Sequence, residues 1–149
     1  MAEVMEDPLV GFHYLVDIGG MIVGYFMECS GLNIEYDGAE LKITSEKGVP
    51  LVVQQPGRKK FTDITLKRGV TDSLDIWDWR KMVEDGDVAS ARVNGSITLC
   101  QQDGTPVAMW NFERGWPSKV TGPQPKTDSN EIGVEEVVIV HEYLERVPA

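Results

Sequence analysis

The sequence predicts a mainly β protein, an antiparallel β-sandwich or flattened barrel of about seven strands with one α-helix packed against it. Three observations point there. Apolar and polar residues alternate over several stretches of strand length. Short turn signals, Gly19-Gly20 and Asp103-Gly104, join such stretches in pairs. One segment alone, residues 72–85, carries an apolar stripe at helical spacing. The 149 residues fit a single domain, 1–149, and suffice to bury a core.

The first strand runs over 11–18, with Phe12, Tyr14, Val16 and Ile18 on one face and His13, Leu15 and Asp17 on the other. Gly19-Gly20 then supplies the positive φ of a two-residue hairpin. The second strand, 21–28, is apolar on both faces apart from Gly24, so both faces are expected to be covered. Residues 33–36 extend it beyond a kink at Ser30-Gly31. Residues 37–55 read as a long loop or arm with Gly38, Gly48 and Pro50, mixed charges and little sustained periodicity. Ile43, Val49, Leu51, Val52 and Val53 are too apolar for a solvated linker. The segment is either an irregular hairpin packed on its own domain or an arm that orders against a neighbour.

A strand over 61–68 follows, with Ile64 and Leu66 on one face. The helix spans 72–85. Thr71 or Asp72 is placed to cap it, and Asp75 lies in the first turn, where the dipole favours acid. Ile76, Trp79, Met82 and Val83 form its stripe, and Gly86 is placed for a left-handed stop. Strands over 93–101 and 107–114 flank Asp103-Gly104. A Gly-, Pro- and Ser-rich connection covers 115–130. One long strand, 132–144, closes the chain around the apolar run Val137-Val138-Ile139-Val140.

The formal charge is −10, from 24 acidic and 14 basic residues. Residues 1–50 hold nine Asp or Glu against two Lys, whereas residues 51–92 hold eight basic and seven acidic side chains. A surface this negative repels phosphates, which argues against specific nucleic-acid binding and suits a conduit along which a polyanion slides. The basic run Arg58-Lys59-Lys60 reads as a solvated strand start, as a patch for an acidic neighbour, or as a nucleic-acid contact. No apolar run approaches a membrane span, so no membrane anchoring is expected. The first residues lack the basic and apolar regions of a secretory signal, so synthesis and assembly in the cytoplasm are expected. Cys29 and Cys100 are far apart and read as free thiols in that compartment.

No catalytic chemistry is expected. His13 and His141 are the only imidazoles, and both sit in strand patterns. No nucleophile elbow, phosphate loop or zinc-ligand spacing occurs, and neither cofactor nor metal is implied. The four Trp read as core or interface anchors. A small monomeric β-barrel that carries an apolar ligand is the alternative.

Ordered blocks of sequence carry a resemblance. Thr65-Leu66-Lys67-Arg68-Gly69-Val70-Thr71-Asp72-Ser73 runs into Asp75-Ile76-Trp77-Asp78-Trp79. Downstream stands Trp110-Asn111-Phe112-Glu113-Arg114-Gly115-Trp116-Pro117-Ser118-Lys119, then Gly122-Pro123. Asp7-Pro8-Leu9-Val10-Gly11-Phe12, Glu28-Cys29-Ser30-Gly31-Leu32, Pro56-Gly57-Arg58-Lys59-Lys60-Phe61 and His141-Glu142 complete the set. Together they resemble the tail-tube proteins of contractile phages and of the phage-tail-like injection systems derived from them.

The resemblance implies a tail-tube fold in which Gly69, Asp72, Trp79, Trp110, Gly115, Trp116 and Pro117 are structural motif residues. It implies hexameric rings whose sheets join edge to edge, stacked head to tail into a hollow tube inside a contractile sheath. Sheath, baseplate and tube-cap proteins are then partners, and the lumen carries a payload of protein effector or DNA. The particle ends as part of a virion or as a released extracellular machine. The resemblance also favours the arm reading of 37–55. Asp37, Glu40, Lys42, Ile43, Val49, Leu51 and Val53, with Arg58, Lys59 and Lys60, become candidates for contacts between subunits. The polar strand face of Asn94, Ser96 and Thr98 becomes a candidate lumen wall.

Overall fold

The computed structural model describes residues 12–123 and 133–149, so the block Asp7–Gly11, the later part of the 115–130 connection and the expected strand start at Ile132 lie outside the described residues. The chain is mainly β, with antiparallel sheets and a packed α-helix. Strand β1 (His13–Ile18) turns into β2 (Ile22–Phe26) through Gly19 and Gly20, at φ 58° and 72°. These are the left-handed conformations such a turn demands. Asp17 Oδ1 accepts from the Gly20 N–H at 3.0 Å.

The expected second strand is two strands. After Phe26 the chain leaves β1, and the Met27 N–H donates to the Lys67 carbonyl at 2.9 Å. Strand β3 (Glu28–Ser30) then pairs with β6 (Ile64–Gly69). The expected burial of both faces fails: Val23 is 62% and Tyr25 60% exposed. Only the Ile22 and Phe26 side points into the core.

Between β3 and β6 stands a second sheet of two strands, β4 (Ile34–Thr44) and β5 (Pro50–Phe61). The region 37–55 is therefore no irregular loop but most of a regular hairpin, bulged between Tyr36 and Gly38. Its period of two was hidden by the glycine and charges at that bulge.

Helix α1 (Asp75–Glu84) begins three residues later than its expected start. Neither Thr71 nor Asp72 caps it; Leu74 holds the N-cap position without a side-chain hydrogen bond. Thr71 Oγ1 instead accepts from the Ser73 N–H at 3.2 Å, turning the approach. Ile76 and Trp79 are buried and Met82 and Val83 pack on the core, as the stripe requires. Gly86 stops the helix at φ 85°. The short helix α2 (Val88–Ala91) had no periodic signal; its N-cap Asp87 accepts from the Ser90 N–H.

Strand β7 (Val93–Cys100) pairs with β1 and with β8 (Pro106–Thr121). The expected connection after Gly115 is instead strand as far as Thr121. Pro117 is tolerated there beside a register shift between Pro117 and Lys119. β8 changes partners along its length. Its first half pairs with β7 and β10 (Tyr143–Val147), its second with β9 (Val134–Val140). That change splits the single closing strand expected over 132–144 at His141-Glu142.

The main sheet runs β2-β1-β7-β8-β9-β6-β3, with β10 added on β8. Val16, Ile18 and Ile97 from one end of it meet Ile64, Leu66, Val137 and Ile139 from the other in one core. Phe112 sits between them, fully buried. Gly115 makes room for its ring, because a Cβ there would lie 2.5 Å from Phe112 Cε2.

Candidate assembly surface

Three places gather the residues that sequence reasoning singled out: the hairpin arm, the outer face of the main sheet, and the junction of α1 with the sheet.

The arm is amphipathic by register. Ala39 pairs with Gln55, Leu41 with Val53 and Ile43 with Leu51, so these six share one face. Glu40, Lys42 and Thr44 share the other with Gln54, Val52 and Pro50. The apolar face is not covered by its own domain: Leu41, Ile43, Leu51 and Val53 are all exposed, as is Val49 at the turn. A two-stranded hairpin on its own is marginal in water, so this face needs a cover. The turn is closed by Ser45, whose carbonyl accepts from Gly48 N–H at 2.9 Å and whose Oγ accepts from Val49 N–H at 3.1 Å.

The basic run lies at the arm's root. Lys60 donates to its own Asp37 at 2.9 Å, and this hydrogen bond holds the ammonium above the ordinary lysine value. Lys59 stands over the Phe61 and Tyr143 rings, at 5.1 Å and 4.7 Å. Arg58 is exposed.

On the main sheet, Ser96 and Thr98 are half-buried neighbours in two rows. Ser96 stands between Asp17 and Asn111, with Glu145 beyond; Thr98 stands between Leu15 and Met109, with Val147 beyond. Val23 and Tyr25 extend these rows onto β2. Asn94 is exposed and stands at the register shift of β7 against β8. Its Oδ1 accepts from the Arg114 N–H at 3.1 Å and supports Arg114 at φ 53°, an uncommon left-handed backbone for a residue with a side chain.

The junction of α1 with the sheet was not foreseen. Arg68 on β6 binds Asp75 through two hydrogen bonds and Glu135 on β9 at 3.4 Å, and its guanidinium covers the Phe26 ring. Trp77 Nε1 donates to Glu135 Oε1 at 3.2 Å. Burial alone would raise the Asp75 pKa, but hydrogen bonds from Arg68 and the Ile76 N–H hold it below the ordinary carboxylate value. The motif residues Gly69 and Asp72 lie in the chain between Arg68 and Asp75. Of the others, Trp79 is buried, Trp110 and Trp116 are half-buried and Pro117 is buried.

Among the described residues no catalytic set is assembled. His141 is buried between Phe61 and Phe112, with Nε2 3.0 Å from the Thr62 carbonyl. Burial pushes the Cys29 thiol up to about 12, far from a reactive thiolate. Among the described residues no group of three or more His, Cys, Asp or Glu is placed to hold a metal. Among them, too, no helix is long and apolar enough to cross a membrane. The concave feature of note is an open groove between β1 and β3 rather than an enclosed ligand chamber.

Comparison with known proteins places the fold. The chain is 24% identical to a chain of an extracellular contractile injection system, a PVC sheath-tube complex in the extended state, with a TM-score of 0.72 over 97% of this chain and 95% of that one. It is 23% identical to a chain of the anti-feeding prophage tube-terminating cap, with a TM-score of 0.69 over 100% and 95%. Hcp1 from Salmonella typhimurium shares 11% identity at a TM-score of 0.61, over 92% and 86%. No curated protein matches it in sequence. The T4-like virus tail tube protein gp19 family matches residues 10–145, nearly the whole length. The chain therefore belongs to the T4-like virus tail tube protein family, a structural rather than an enzymatic one.

Proposed function

We propose that this protein is the subunit of the inner tube of a contractile injection particle or phage tail. Six copies close into a ring, and rings stack into a hollow conduit inside a sheath. Sheath contraction drives the tube through a target envelope and the payload, protein effector or DNA, passes along the lumen. The solved structures of like fold include a sheath-tube complex, a tube-terminating cap and a baseplate, which makes sheath, baseplate and cap proteins the expected partners. Assembly takes place in the cytoplasm before the particle is released or joins a virion.

One observation carries the reading: an arm of two long strands whose apolar face its own domain leaves bare. A monomer gains nothing from such an arm, whereas a filament uses it as a contact. The sheet adds a second argument. Among the described residues its edge strands, β2 and β3, have no further partner, and ring closure would supply one. One outer row, Asp17, Ser96, Asn111 and Glu145, is polar and acidic, which fits a lumen wall that does not retain a polyanion.

Replacing residues 38–55 by a short turn tests the arm. The truncated protein is expected to keep its thermal transition, because little of the arm is buried against its own domain. It is expected to form no tubes under the electron microscope. Loss of the thermal transition would assign the arm to the core of its own subunit and remove the main support for assembly.

A further inference from the structure

We propose that the outer face of the main sheet takes an extended, basic polypeptide with apolar side chains, so that the payload of the tube is an unfolded protein chain rather than a nucleic acid. Within the tube reading, on which this rests, that face is the lumen wall.

The face carries two kinds of row. Asp17, Ser96, Asn111 and Glu145 make the polar, acidic one. The next row along the strands is Tyr25, Leu15, Thr98, Met109 and Val147. Its side chains are apolar or aromatic except Thr98, which adds a methyl group. Tyr25 is 60% exposed, and Leu15, Met109 and Val147 are half-buried. A wall that only let a polyanion slide would need no such row. Contiguous apolar groups on a surface mark a place of contact.

The charges say what kind of contact. Asp17, Glu113 and Glu145 are exposed on this face, and among the described residues none has a salt-bridge partner. The Glu145 charge, with Glu113 behind it, raises the Tyr143 phenol above its ordinary value. Lys59 stands at their border, over the Tyr143 ring at 4.7 Å, so the surplus on the face stays negative. Carboxylates attract Lys and Arg and repel phosphates. A nucleic acid meets this face with phosphates and is turned away. A basic polypeptide with apolar side chains has a group for each row.

Spacing selects the extended form. Side chains two residues apart in a strand lie about 7 Å apart on one face, which is the separation of the two rows. An extended guest repeats its own side chains at that interval. A Lys and a Leu two positions apart therefore meet the acidic and the apolar row together. A folded guest keeps most of its large apolar side chains inside and offers this face mainly charge.

The test titrates assembled tubes of the full chain with a fluorescent, unstructured peptide of Lys-Ser-Leu-Gly repeats. Saturable binding that weakens as salt rises is expected. A matched peptide with Glu for Lys, one with Ser for Leu, and single-stranded oligothymidylate should each bind about tenfold more weakly or not at all. Equal binding by any of the three overturns the inference. Asp17→Asn with Glu145→Gln should weaken the Lys-Leu peptide and flatten its salt dependence. Tyr25→Ser with Met109→Gln should weaken it and leave the salt dependence in place. Unchanged binding in either variant overturns the inference too. If the second variant fails to fold, the Ser-for-Leu peptide probes the same row from the guest's side. Wild-type tubes that bind none of the peptides overturn this inference alone, whereas a chain that never leaves the monomer takes the tube reading down with it.

Discussion

Trp79→Ala is expected to remove most of the stability of the subunit. Trp79 is 1% exposed, lies in the core with Ile76, and donates its indole N–H to the Ala91 carbonyl at 2.8 Å. Truncating a buried aromatic costs about 3–5 kcal/mol from lost transfer energy and the cavity left behind. The Ala91 carbonyl also loses its donor, and an unsatisfied buried acceptor adds about 1–3 kcal/mol. Domains of this size are stable by about 5–15 kcal/mol, so the variant stands near the edge of folding. The denaturant midpoint should fall sharply with the slope unchanged. A midpoint within error of wild type would show that α1 does not anchor the fold.

Arg68→Met is expected to cost nearly as much by a different route. Arg68 is shared by Asp75 and Glu135, whose side chains are 18% and 6% exposed. Removing one member of a buried ion cluster costs about 3–5 kcal/mol, because the partner charges are left without compensation. The partial exposure of Asp75 puts this variant at the lower end. The pH dependence separates the mechanism from simple loss of packing. The folded Asp75 pKa lies below the ordinary 3.8, so its contribution is fully present above that value. It is lost as pH falls from there through the lower folded value. Wild type should therefore lose stability in that acid window, and Arg68→Met should lose less, since the depression depends on the guanidinium. Equal acid sensitivity in the two proteins would detach Asp75 from Arg68.

Much of this fold was legible because its signals are local. Gly19-Gly20 and Gly86 demand left-handed backbone, and both stand where turn and helix end. Ile76 and Trp79 mark the buried face of α1 by spacing alone. What escaped was set by long-range pairing. Nothing near Phe26 announces that the chain will exchange β1 for β6, and nothing near Gly115 announces that β8 runs on to meet β9. The proline at 117 argued for a connection, and the register shift that accommodates it is visible only with β9 in place.

The candidate surfaces were legible in part for the same reason. The arm's apolar residues stood out by type. Their sharing of one face depends on the register of Leu41 with Val53 and Ile43 with Leu51. Asn94 looked like its polar neighbours Ser96 and Thr98, yet its side chain also accepts from the backbone of Arg114 at an irregularity of β8. The Arg68 cluster brings together residues 67 positions apart, a distance at which charge patterning along the chain carries no information.

The central claim is that this chain builds a tube, and electron microscopy of the purified full-length protein tests it most directly. At high concentration, or coexpressed with the other proteins of its particle, it should give six-fold rings or stacked tubes with a hollow centre. A protein that remains a small, solid monomer under both conditions would contradict the account.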